Sequence, residues 1–256
     1  ASTADNLALL DGWRRRFSGE CVDFDYHLWR ALYADPGQMR LARVLHRDAA
    51  DLGRMGMDGF ISCQCQRVAF PTGLFMEVLG RALWDASTSF DQIVARYFTD
   101  LFGPDGEAVR RYLSDVSDTL SEDRFRPPAN RPAPVARARQ IAAGSRWNTI
   151  SARVAAMAPR IRRGMRRRDP VAAAAWRMLH HHAWYLAAMT DFWSKSWSGD
   201  PAAAAVYRAM DAELNRRLPE LHPVFDTWMC RLLMQQTLRR NGITVETPAP
   251  AAERKR

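Results

Sequence analysis

Two stretches of the chain alternate polar and apolar residues, and most of the rest repeats its apolar residues at helical spacing. Residues 21–29 and 58–66 each place polar and apolar side chains on opposite faces, which predicts two strands. Between them Met39, Ala42, Leu45, Ala49 and Leu52 mark one apolar helix face. Asp35-Pro36 offers an N-cap followed by proline at the first helical position, and Gly53 and Gly56 bracket the end. A strand–helix–strand unit with a crossover of this length predicts neighbouring parallel strands.

Beyond residue 70 the spacing is helical almost throughout. Residues 71–84 are apolar on most sides. Ser89-Phe90-Asp91-Gln92 forms a capping box, and the helix it opens aligns Phe90, Ile93, Val94, Tyr97, Phe98 and Leu101 until Gly103-Pro104 stops it. The next helix turns Val109, Tyr112, Leu113, Val116 and Leu120 inward. Residues 121–134 hold four prolines and read as a linker. Four helices follow, near 135–163, 170–197, 201–217 and 223–240, two of them opened by Asp169-Pro170 and Asp200-Pro201. Residues 243–256 read as a disordered tail. The expected class is therefore α/β plus all-α and predominantly helical. Residues 1–120 are the strand-bearing part, and residues 135–242 a helical C-terminal domain.

Two strands do not make a stable parallel sheet alone, so the pattern implies either further strands elsewhere or a mistaken strand assignment. Each strand has one polar face, which suggests that this face lines something wet.

Composition narrows the function classes. No apolar run reaches the ~18–20 residues of a membrane span. The N-terminus lacks the basic and apolar regions of a signal peptide, which points to a cytoplasmic protein. The net charge of +9 and a pI near 10 suggest an anionic partner. Yet all the basic residues except Lys195 and Lys255 are arginine, and alanine is abundant, as GC-rich coding produces without selection for nucleic acid. Nucleic-acid binding is accordingly the disfavoured alternative. Cys63 and Cys65 share one face without zinc-site spacing, and small buried thiols fit Cys21, Cys63, Cys65 and Cys230.

The candidate chemistry lies on the polar strand rows. Asp23, Asp25 and His27 share one face, as do Ser62, Gln64 and Gln66. Sites in α/β barrels form at the C-terminal strand ends, which favours Asp25, His27, Gln64 and Gln66. With nearby Trp29 these groups suit sugar hydroxyls, unless Asp25 and His27 merely satisfy one another at a rim. Arg67 could hold a carboxylate such as a uronic acid, or make a structural ion pair. Glu77 reads as a surface or capping residue. His180, His181 and His182 diverge around a helix, so no metal site is expected. The arginine run from Arg162 to Arg168 reads as a solvated helix end or an anion-binding patch. With no phosphate loop or nucleophile elbow, no cofactor is expected.

Several ordered motifs carry a resemblance. They are FDYHLW at 24–29, MGMDGFISCQCQR at 55–67, FPTGL at 70–74, GRALWD at 80–85, SFDQIVARYF at 89–98 and LFG at 101–103. Over residues 7–120 the chain resembles a bacterial family of glycosidase-like proteins. These carry a domain of unknown function and often an N-terminal domain similar to that of α-glucuronidases. Ala69 stands where that pattern expects an aromatic residue, and Glu77 where it expects an aromatic or apolar one.

The resemblance implies the terminal strand–helix–strand part of a (β/α)8-type TIM barrel, followed by helices that cover the barrel or build a homodimer contact. It implies a missing N-terminal barrel portion and a carbohydrate substrate. It places Asp25 in a catalytic role near the mouth, with His27, Gln64, Gln66, Arg67 and Trp29 binding substrate. Glycoside hydrolysis uses two carboxyl groups. The chain offers Asp25 and no second partner, so by itself it is expected to be inactive. The alternative class is a non-catalytic binding or scaffold module.

Overall fold

Helix dominates the chain. The structure, a computed structural model, describes residues 3–26, 28–33, 35–63, 67–120 and 133–244. In chain order the elements are α1 (Thr3–Arg14), β1 (Val22–Asp25), α2 (Met39–Asp51), β2 (Gly59–Ser62), α3 (Leu74–Trp84), α4 (Phe90–Phe102) and α5 (Gly106–Thr119). They continue with α6 (Ala133–Gly164), α7 (Pro170–Ser198), α8 (Ala202–Leu221) and α9 (Thr227–Arg240), and a short 3-10 turn covers Arg30–Tyr33. Residues 121–132 of the expected linker and 245–256 of the expected tail lie outside the described residues.

The strands pair in parallel, with Phe24 opposite Ile61 and Asp25 opposite Ser62. Each is only four residues long. The first ends early because the chain turns after Tyr26, whose carbonyl accepts from the Trp29 amide at 3.0 Å, and Leu28 swings into the core at 1% exposure. The faces also differ from expectation. The row Asp23, Asp25, Phe60 and Ser62 is half-buried, because Phe60 packs on the core. The apolar row Val22, Phe24 and Ile61 is the open one, each residue more than half exposed.

Helix α2 begins at Met39, not at Pro36. Gln38 adopts the left-handed φ of 67°, which breaks the helix at the preceding turn. Asp35 still caps α2 across that gap: Oδ2 accepts from the Leu41 amide at 2.8 Å. Ser117 Oγ of α5 accepts the Met39 amide at 2.9 Å and donates to Asp35 Oδ1 at 2.5 Å. Gly37 is pressed against α5. A Cβ there would meet the Leu113 carbonyl oxygen at 2.1 Å and the Ser117 nitrogen at 2.5 Å, so only glycine fits.

The remaining helices form where the sequence places caps. Ser89 and Gln92 complete the capping box of α4, worth about 1 kcal/mol. Asp169 accepts the Val171 amide at 2.8 Å with Pro170 at the first position, and Gly199 at φ 75° closes α7. Helix α9 starts at Thr227 rather than 223, because Asp226 is its cap and accepts the Met229 amide at 3.0 Å. Helices α6 and α7 pack along one another. At Gly164 they come so close that a Cβ would lie 2.1 Å from the Trp176 ring. One buried cluster runs from Leu28 through Phe98, Phe102 and Trp176 to Leu238, so both stretches of the chain share a core. Helix α1, unforeseen in the pattern, leaves Leu9 and Trp13 exposed.

The tight turn at residues 35–38 yields a stability prediction. Gly37→Ala should cost about 2–4 kcal/mol through collision with the α5 backbone, and Asp35→Ala about 2 kcal/mol by stripping Ser117 and two helix amides of an acceptor. Urea unfolding followed by circular dichroism measures both. Wild-type midpoints in the two variants would refute the account.

Candidate functional site

The carboxyl ends of β1 and β2 lie side by side because the pair is parallel. Asp25 is the last residue of β1, half-buried, and its backbone carbonyl accepts from the Cys63 amide at 2.8 Å. Its carboxylate accepts the Tyr26 amide and stands on the same face as Ser62. Ser62 Oγ is shielded from solvent and has no hydrogen-bond partner among the described residues.

Tyr26 points the other way. Its ring meets Phe24 at 5.4 Å and Trp29 at 5.9 Å, so Trp29 extends the aromatic row. The Tyr26 hydroxyl is held above its usual range, chiefly by the neighbouring Cys63 thiol.

Arg67 follows β2 in a left-handed conformation, φ 59°. It lines a cavity of about 20 Å³ with Tyr33, Gln38, Phe70, His182 and Tyr185, room for about one water. His27, Gln64 and Gln66 lie outside the described residues. Glu77 pairs with Arg81 at 2.8 Å on the surface of α3.

Behind Arg67 stands a polar network that the sequence pattern missed. Gln38 Nε2 donates to the Phe70 carbonyl at 2.7 Å, and Thr72 Oγ1 donates to Gln38 Oε1 at 2.7 Å. His182 Nε2 donates to the Pro36 carbonyl at 2.9 Å, which places a ring proton on Nε2, and its Nδ1 faces the Tyr112 hydroxyl at 3.5 Å. Full burial pushes the imidazole down to about 4. Desolvation likewise raises the Asp35 carboxyl, against the hydrogen bonds that favour its charge. The Tyr33 hydroxyl donates to the Asp226 carbonyl at 2.7 Å and is raised by burial. No sequence signal marked this network, beyond the placement of His182, Tyr185 and Met189 along one face of α7.

The other sequence-marked groups are dispersed. His181 bridges Glu220 at 3.1 Å and Arg217 at 2.8 Å, apart from His182. Among the described residues no group of three or more His, Cys, Asp or Glu could hold a metal ion. Cys230 is buried, its thiol pushed up to about 12, whereas Cys21 and Cys63 are only half-buried. No helix of the described residues is long and apolar enough to cross a membrane. Compared with protein-family models, curated proteins and solved structures, the chain matches none.

The buried imidazole makes stability depend on pH. Its folded pKa lies below the unfolded value near 6.5, so the unfolded chain takes up the proton first. The His182 contribution is therefore complete above about pH 6.5 and is lost as pH falls toward about 4, by up to roughly 3 kcal/mol. His182→Gln keeps a donor for Pro36 and removes the titration. Its melting temperature should fall less steeply than wild type between pH 6.5 and 4, and parallel curves would exclude His182 as the acid-sensitive group.

Proposed function

We propose that this chain is the C-terminal portion of a carbohydrate-active, glycoside-hydrolase-like protein, with β1 and β2 as neighbouring strands of a (β/α)8-type barrel. The observation that supports this reading is the uncovered sheet. Val22, Phe24, Tyr26 and Ile61 form an apolar face 45–55% open to solvent, on a two-stranded parallel pair with bare edges. Parallel sheets are stable when both faces are covered and further strands extend them. On α3, Met76 and Leu83 are likewise half exposed and Trp84 is 91% exposed, the kind of face that a neighbouring barrel helix covers.

In this reading Asp25 stands at the mouth and positions substrate or water. His27, Gln64 and Gln66 hold sugar hydroxyls, Arg67 takes the carboxylate of a uronic acid, and Trp29 flanks the sugar. The general acid belongs to a strand outside this chain, since hydrolysis needs a second carboxyl group about 5–10 Å away.

Asp25→Asn is nearly isosteric. In the full-length protein it should lower kcat on an accepted glycan at least about a hundredfold while leaving the melting temperature unchanged. Arg67→Gln should raise KM for uronic-acid-bearing substrates more than for neutral ones. Turnover indifferent to Asp25→Asn on every accepted glycan would remove the catalytic assignment.

A further inference from the structure

Arginines crowd one band of the described surface. A groove of about 330 Å³ lies between α2, α4 and α5, where Arg40, Arg43, Arg47 and Arg110 face the carboxylates of Asp91 and Asp118. Arg43 pairs with Asp91 at 3.0 Å and lies 4.3 Å above the Phe90 ring. Arg110 grips Glu107 through two nitrogens, each at 2.7 Å. Arg47 has no ion-pair partner among the described residues.

Helix α5 carries the band onward. Glu107 also reaches Arg111 at 3.2 Å. Two residues earlier, Asp105 is shared by three arginines of the α6 end: Arg160 at 3.7 Å, Arg163 at 2.9 Å and Arg167 at 3.4 Å. The Asp105 side chain is only 15% exposed, so one shielded carboxylate answers three guanidinium groups. Arg162, Arg166 and Arg168 beside them are exposed. A helix dipole favours cations in its last turn by about 0.3–1 kcal/mol each, which accounts for one or two arginines and not for this many.

Each guanidinium has five N–H donors, so those already paired retain donors for a second anion. The charge spans three helices, which suits a polymer with repeated charges better than a single ion. Asp105 sits inside the arginine fan as an internal example of the acid group such a surface holds. Val44, about half exposed, adds apolar surface to the groove.

Resting on the glycan reading above, we infer that this arginine band is a docking surface for an anionic polysaccharide, carboxylated or sulfated. Fluorescence anisotropy tests it on the full-length protein, titrated into labelled oligogalacturonate, sulfated galactan, neutral galactan and duplex DNA at low and high salt. Binding should be confined to the acidic glycans among the sugars and should weaken steeply with salt. The more tightly bound of the two acidic glycans identifies the acid group. Arg47→Gln with Arg166→Gln, two side chains without ion pairs, should lower that affinity roughly tenfold with the melting temperature unchanged.

Equal binding of neutral galactan, no binding at low salt, or an affinity unmoved by the double variant would overturn the inference, as would tighter binding of duplex DNA. Absence of acidic-glycan binding while turnover of a neutral glycan still depends on Asp25 would sink the band alone. Preference for DNA together with no turnover of any glycan would sink the glycan reading as well.

Discussion

The structure depends first on how the polar groups of one buried turn are satisfied. Asp35, Pro36, Gly37 and Gln38 are all buried, and each is committed to a different part of the chain. Asp35 holds Ser117 of α5 and the first turn of α2. The Pro36 carbonyl takes His182 of α7. Gly37 allows α5 to touch the backbone, and Gln38 holds the chain at Phe70 and Thr72. Three buried polar groups cost several kcal/mol if left bare, so the arrangement has value only when every partner is in place. Satisfying them fixes the distance between the strand–helix part and the long helices, and with it the cavity beside Arg67.

Local signals in the sequence were legible where one residue does one local job. The capping box at Ser89, the Asp-Pro openings and the apolar faces of α4 and α5 follow from spacing alone, because capping and burial act within a turn or two. The parallel pairing of β1 and β2 was legible for the same reason, since crossover length constrains it. The start of α2 was not. Asp35-Pro36 resembles an ordinary helix opening, and only the approach of α5 to Gly37 forces the extra turn. The strands read too long because alternation continues past Asp25 into residues whose conformation is set by the burial of Leu28. At the candidate site, parity set Asp25 on the face of Ser62 but could not show that Trp29 joins the aromatic row. Three adjacent histidines hid the fact that His182 is buried against the Pro36 carbonyl while His181 pairs with Glu220.

The two faces of the small sheet then carry opposite meanings. A polar row turned partly toward the protein is satisfied locally, apart from Ser62. An apolar row turned to water is not, and solvent gives nothing in return for Phe24 and Ile61 at more than half exposure. At about 25 cal/mol per Å² of apolar surface, covering several such side chains contributes kcal/mol to any assembly that does so. Further strands pair the edges of such a sheet, and crossover helices cover its faces.

Charge is distributed by a different logic. Arginines that merely solubilise a surface are expected to scatter among acids, with ion pairs worth little each. Here three converge on Asp105, a carboxylate mostly hidden from water, and repel one another at short range. Such a cluster is tolerable because Asp105 lies where three helix segments meet, and it remains undersupplied with negative charge. The adjoining groove repeats the imbalance between α2 and α5. Under the proposed docking role, an arrangement left short of anions is completed by the acid groups of the bound polymer.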